Sequence, residues 1–428
     1  MTVTAHETTT AAPPAGTPGE LMSGRQRAGL VLVLGSLIAI GPLTIDMYLP
    51  ALPAITDSFG TTSAAVQLTL TGTLAGLALG QLLIGPLSDA VGRRAPLIAG
   101  LALHVLASLL CVIAPNIAVL GALRVLQGLG VAATSVVAMA VVRDLFSGSA
   151  FAGLISRLML VMGAAPILAP TLGSALLSWT DWRGVFVALA GFGVLLVVVA
   201  VVGLRETLPV ARRRRGGVLD TVRVYRSLLR DRVFVGLVIV AGMSMAALFA
   251  YVAGSSFVFQ ERYGLNEQEF GVAFGAGAVG LILATQLNVR LLRRFAPQQI
   301  LLTALSVGSV AGLALIGFAV TGLGGLPTIL ASLWVVLAAG GLAIPNAPAV
   351  ALSRHGEAAG TAAALLGSVQ FGVGAVAAPM VGVLGNGSVA MALVVAGGMF
   401  AALAVLVLVV RPARLDPVEP RVVAVATH

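Results

Sequence analysis

Lysine is absent from this chain; all 25 of its basic side chains are arginine. A phosphate-binding loop of the G-x-x-x-x-G-K-[ST] kind is therefore excluded, because that loop works through its lysine. Cysteine is almost absent. Cys111 stands alone in an apolar run, so no intrachain disulfide can form and a small core residue is expected. The four histidines, His6, His104, His355 and His428, lack metal-ligand spacing, so no metal is expected. His104 lies in an apolar stretch, where packing or a proton relay would suit it. No His/Asp/Cys cluster converges as in an enzyme, and rings of like charge that would line a channel are missing. Charge itself is scarce. Charged residues make up 10% of the chain, against about 25% in soluble domains.

What the chain has instead is apolar sequence. Hydrophobic residues are 58% of it and the mean hydropathy is +1.05. Twelve runs of roughly 20 residues are long enough to cross a bilayer. They are residues 28–50, 65–84, 95–114, 117–141, 152–177 and 184–204, then 233–259, 270–289, 299–320, 326–352, 360–384 and 389–410. Only Pro115 and Asn116 separate the third from the fourth.

Counting the connections alternately sorts the arginines. One side holds Arg25, Arg27, Arg93, Arg94, Arg143, Arg205, the 212–215 run, Arg223, Arg226, Arg230 and Arg232. It also holds Arg290, Arg293, Arg294, Arg354, Arg411, Arg414 and Arg421, while the other side holds only Arg183 and Arg262. The positive-inside rule makes the first side cytoplasmic, with both termini there. An odd number of spans would scramble this order. The net charge of +9 thus serves topology, so the bilayer is the expected partner and nucleic acid is not.

The longest connection, residues 205–232, is polar and basic and divides six runs from six. The expected organisation is a disordered tail (1–27), a six-helix bundle (28–204), a cytoplasmic linker (205–232), a second bundle (233–410) and a cytoplasmic tail (411–428). The fifth run contains Gly163 and then Ala169-Pro170-Thr171-Leu172-Gly173. The eleventh contains Gly372 and then Ala378-Pro379-Met380-Val381-Gly382, at one constant offset. A shared pattern six runs apart suggests two parallel repeats, the arrangement of many transporters.

One carboxylate lies well inside a run. Asp46 follows Pro42 by about one helical turn, and that proline leaves the carbonyl of Ile38 without its helical donor. A charge at such depth costs several kcal/mol, which makes Asp46 a functional candidate. The alternative is an acid at the outer end of the helix, wetted by headgroups. Arg124 lies at a similar expected depth in the fourth run, and buried charges are tolerated when paired. Asp46 and Arg124 are therefore expected to be close.

The segment Gly85-Pro86-Leu87-Ser88-Asp89-Ala90-Val91-Gly92-Arg93-Arg94 resembles the signature loop of the major facilitator superfamily. Gly85, Leu87, Asp89, Gly92, Arg93 and Arg94 match; Ala90 departs from the usual basic residue. Physically, the glycines permit a tight turn and the arginines would hold the loop at an anionic surface. Arg124-Val125-Leu126-Gln127-Gly128 resembles the superfamily's R-x-x-Q-G motif. The stretch containing Gly163, Pro166, Pro170 and Gly173 resembles the antiporter motif of drug exporters, with Ala165 where a glycine is commonest. Together with Asp46-Met47-Tyr48-Leu49-Pro50, and with Tyr251-Val252-Ala253-Gly254, Pro345-Asn346-Ala347 and Gly360-Thr361-Ala362 in the second half, these motifs are similar to the bicyclomycin/chloramphenicol-resistance branch of the drug/proton antiporters.

That resemblance implies a major facilitator fold and no enzymatic activity. It implies export of lipophilic or amphipathic drug-like molecules across the plasma membrane, driven by the proton gradient with no cofactor, by a functional monomer. Export of a metabolite such as a sugar or amino acid is the alternative. Asp46 would carry the proton and Arg124 would be its switchable partner. Asp89 would meet the start of the eleventh helix, near Gly360, as part of a gating loop with Gly85, Gly92, Arg93 and Arg94. Tyr48, Gln127, Tyr251, Asn346 and Gln370 are the candidate polar groups of a substrate pocket, with Met162, Phe249 and Phe371 as possible apolar lining.

Overall fold

Hydrocarbon offers no hydrogen bonds, so a chain of such runs must satisfy its backbone internally, as helices. The computed structural model describes residues 22–146, 148–213, 218–355 and 358–414. The expected tails before residue 22 and after residue 414, and Arg214 and Arg215, lie outside the described residues. The first half contains α1 (Gly24–Asp46), α2 (Leu52–Phe59), α3 (Ser63–Val91), α4 (Arg94–Val112), α5 (Ile117–Leu145), α6 (Gly148–Leu177) and α7 (Trp182–Gly203). The connecting α8 (Val218–Leu228) follows. The second half contains α9 (Arg232–Phe257), α10 (Glu267–Leu291), α11 (Pro297–Thr321), α12 (Gly325–Ser353), α13 (Ala359–Val383) and α14 (Ser388–Val405).

Among the described residues, eleven helical stretches are long and apolar enough to cross a membrane. α6 completes the series of twelve, with Val161–Leu177 as its described apolar part. Exposed aliphatics such as Val202 (82%) and Val383 (78%) give these helices a surface suited to lipid. This is a multi-pass membrane protein.

Polar residues at the run boundaries start the helices. The hydroxyl of Ser23 accepts from the backbone N–H of Gln26 at 3.3 Å, and the Gln26 side chain returns the bond. Asn116 accepts from the N–H of Val119 at 2.9 Å and so separates α4 from α5. Asp231 caps α9 and Asn266 caps α10 in the same way.

The first run departs from its expected bounds. It does not stop at Pro50. α1 continues through Pro42, ends at Asp46, passes through a short 3₁₀ turn at Leu49–Ala51 and resumes as α2 to Phe59. Pro50 and Pro53 lack the N–H groups that a continuous helix would require here. The connection 205–232 also holds more structure than expected, because α8 is helical.

Within the first half α5 packs on α3 and α4, α4 on α7, and α1 on α6. Within the second, α9 packs on α13 and α14, α12 on α10 and α11, and α11 on α14. The halves meet through α3 with α13 and through α6 with α10. A shift of six spans exchanges these two pairs, as an internal repeat requires. The matched glycines behave alike. Gly163 of α6 faces Ile282 of α10, and Gly372 of α13 faces Ala78 of α3.

Candidate functional site

Asp46 is the last residue of α1 and is 6% exposed. Because the helix resumes and runs on to Phe59, Asp46 lies roughly 20 Å below its far end, at 1.5 Å per residue. At 6% exposure its carboxylate is packed in protein. Among the described residues the Asp46 carboxylate forms no hydrogen bond or ion pair. It lies close enough to Tyr251, in the other half, for the two groups to interact electrostatically.

Arg124 is fully buried, and its partner is not Asp46. One guanidinium nitrogen donates to the carbonyl of Thr44 at 3.1 Å and to Oε1 of Gln127. Thr44 lies in the last turn of α1, and the chain beyond Asp46 supplies its carbonyl no helical donor. Arg124 thus supports the break beside Asp46 through the backbone. Its charge is screened by rings: the guanidinium carbon lies 4.5 Å from the Tyr48 centroid and 5.7 Å from that of Phe186. A desolvated cation–π contact of this kind is worth about 2 kcal/mol. Trp182 and Phe59 extend the aromatic stack to the end of α2. Nε and Nη2 of Arg124 have no partner among the described residues. Gln127 donates to Ser108 at 2.7 Å, and the Tyr48 hydroxyl pairs with Thr69 at 2.9 Å.

The structure therefore brings Arg124, Gln127 and Tyr48 together. Tyr251 stacks on Phe274 at 5.0 Å and lines a separate apolar cavity of about 220 Å³ with Gly277 and Trp334. Asn346 is spent elsewhere: its amide donates to Asn288 at 2.7 Å and to the carbonyl of Leu342 at 2.8 Å, tying α12 to α10. Gln370 is half-buried on α13, beside Phe371, which packs against Phe249.

α6 remains helical across Pro166 and Pro170. Its Gly173 lies directly against the backbone of Met47, the residue after Asp46, leaving no space for a Cβ. The antiporter-type motif thus presses on the break.

At the arginine-rich end, a cavity of about 850 Å³ lies between the halves, lined by Asp89, Arg93, Arg143, Arg212, Tyr225 and Gly360 among others. The signature segment is helical to Val91, so the turn is confined to Gly92 and Arg93. Gly92 has φ +106°, a region that side chains rarely enter. A Cβ added at Gly85 would meet nothing within 4 Å, and its carbonyl accepts from the Ser88 hydroxyl at 3.0 Å.

Arg93 does not reach an anionic surface as expected; it is 6% exposed. It pairs with Asp144 at 2.9 Å and with Asp89, and donates to Ser88 at 2.9 Å. Burial opposes its charge, but Asp144 and Asp89 outweigh that and hold its pKa above the ordinary value. Arg94 donates to the carbonyl of Val201 at 2.6 Å. Among the described residues Asp89 forms no hydrogen bond or ion pair with the start of α13, although both line the same cavity.

Sequence reasoning missed Asp144, Glu206 and Asp231. Glu206 accepts from the N–H groups of Arg93 (2.9 Å), Arg94 (3.2 Å) and Leu208 (2.9 Å), clamping the start of α4. Burial pushes its pKa up, but these bonds and Arg213 bring it below the ordinary value. Asp231 meets Arg354 at 3.4 Å and His355 at 3.0 Å, joining α9 to the end of α12. Their only sequence signal is an acid within two residues of an arginine at a run boundary.

The family model of the Major Facilitator Superfamily matches residues 34–379. An MFS-type transporter of Bacillus subtilis (strain 168), YdgK, is 36% identical over 363 residues, covering 84% of this chain and 90% of that protein. The bicyclomycin resistance protein homolog of Haemophilus influenzae is 31% identical over 351 residues, covering 82% of this chain and 88% of its own. The xylose transporter XylE of E. coli, in a partially occluded inward-open conformation, superposes with a TM-score of 0.70. It is 14% identical, with 89% of this chain and 97% of that one covered, and so it supports the fold alone.

Proposed function

This chain belongs to the major facilitator superfamily of membrane transporters, and on that premise we propose that it exports drug-like small molecules in exchange for protons by alternating access. The observation that carries the reading is Asp46: a buried carboxylate with no counter-ion among the described residues, at a helix break between the two halves. Taking up or losing a proton there changes the charge of the break itself. Arg124 and Gly173 hold that same break from outside it, and Tyr48 within the break covers the Arg124 guanidinium. The names of relatives, including a chloramphenicol resistance protein of Pseudomonas aeruginosa, support drugs as the substrate class. Loops rich in arginine favour the cytoplasmic side, so the cavity beside Arg93, Arg143 and Arg212 opens inward and the conformation is inward-facing. The protein would sit in the plasma membrane with both ends of the described chain inside.

One proton moving down about 100 mV and about one pH unit supplies roughly 3.7 kcal/mol, enough for a gradient of several hundredfold. The test is Asp46→Asn in proteoliposomes with an imposed pH gradient. Uphill drug export is expected to vanish while binding persists. Full proton-driven export by that variant would move the coupling site elsewhere.

A further inference from the structure

The two halves touch differently at their two ends. At the arginine-rich end they are held apart by the large cavity. At the opposite end, side chains of one half bond to the backbone of the other. Gln67 of α3 is fully buried. Its amide nitrogen donates to the carbonyl of Ala253 at 3.3 Å and to Oδ1 of Asn386 at 2.8 Å, and its oxygen accepts from the N–H of Gly382 at 2.8 Å. Asn386 sits at φ +55°, in the left-handed region that asparagine tolerates better than most residues. One glutamine thus binds α9, α13 and the turn after α13.

A second set starts from the break beside Asp46. The carbonyls of Leu49 and Pro50 accept from Ser256 at 2.7 Å, in α9, and from Gln260 at 3.3 Å, in the π-helical turn Val258–Arg262 that follows it, and Gln260 also donates to Ser256 at 2.8 Å. The Leu49 carbonyl shares its bond with the N–H of Leu52, which closes the 3₁₀ turn.

We propose that Gln67, Ser256 and Gln260 are the extracellular gate: positioning residues that hold the outer ends of the halves together while substrate enters from the cytoplasm. They must let go for substrate to leave. Their partners are backbone carbonyls, a backbone N–H, an uncharged amide and a hydroxyl, so the latch itself is uncharged. Its Leu49 and Pro50 carbonyls follow Asp46 by three and four residues. A change of charge at Asp46 therefore reaches the gate through the backbone of the break. The proposal rests on the alternating-access reading.

The experiment measures spin-label distances in the full chain in nanodiscs, on a Cys111→Ser background. One label pair, Thr61→Cys with Asn266→Cys, reports the outer ends; another, Arg143→Cys with His355→Cys, reports the inner ends. Gln67→Leu keeps the volume and removes three bonds. Ser256→Ala/Gln260→Leu leaves Gln67 intact and cuts the other set. In each the long outer-end distance is expected to gain at least tenfold over the short one, while the inner pair shortens. The double variant provides the answer if Gln67→Leu does not fold. Unchanged distances in folded variants would overturn the gate. A wild-type protein with one fixed outer distance at every pH and with drug added would instead overturn alternating access.

Discussion

Replacing Gly173 by alanine adds one carbon, and the structure leaves that carbon no place. It would meet the carbonyl of Met47, a backbone atom that cannot rotate away. Gly153 lies in the same helix, α6, and nothing approaches within 4 Å of its added Cβ. The pair is an internal control. Alanine is better than glycine in a helix by about 1 kcal/mol, so Gly153→Ala should be neutral to stabilising. Overpacking costs about 1–3 kcal/mol, and a backbone clash belongs at the upper end of that range. The net cost at Gly173 is therefore about 2 kcal/mol, close to 30-fold in the equilibrium that seats α6 against the break. Melting in detergent and drug efflux from proteoliposomes measure both variants. Gly173→Ala should melt lower and lose most of its proton-driven transport, and Gly153→Ala should keep both. Equal behaviour of the two would refute the idea that α6 positions the Asp46 break by contact.

Asp89→Asn should change stability by less than about 1 kcal/mol, because Asp89 is partly exposed and Arg93 keeps Asp144. Turnover should fall nonetheless if Asp89 meets the start of α13 in the outward-facing state, and steady-state efflux reads this directly. Glu206 has a depressed pKa, so its contribution to stability is fully present above its ordinary value of 4.5 and is lost as pH falls through the lower folded value. Glu206→Gln should remove that acid-side dependence, seen by melting across pH 3–7. Reporters fused at Gly216 and after Arg414 should report cytoplasm, and one at Asn266 the outside; a cytoplasmic Asn266 would break the topology.

The apolar runs were sufficient for the helical architecture. Twelve apolar runs allow few alternatives in a solvent without hydrogen bonds, and each basic loop resists translocation, so the number and order of helices are properties of the linear chain. The helix caps at Asn116, Asp231 and Asn266 are equally local. Asp46 stood out for the same reason, since a carboxylate within an apolar run is conspicuous without any fold. Partners are different, because they depend on which helix faces follow one another in space. Arg124 looked like the mate of Asp46 because both are charged and similarly deep. Only packing shows that the arginine turns instead to the Thr44 carbonyl and the Tyr48 ring. Nothing in the linear chain distinguishes Asp144 and Glu206; only the tertiary structure sets one on the Arg93 side chain and the other on its backbone N–H. The uncharged latch of Gln67, Ser256 and Gln260 left no trace in the sequence at all, because most of its acceptors are backbone atoms, and every residue has those.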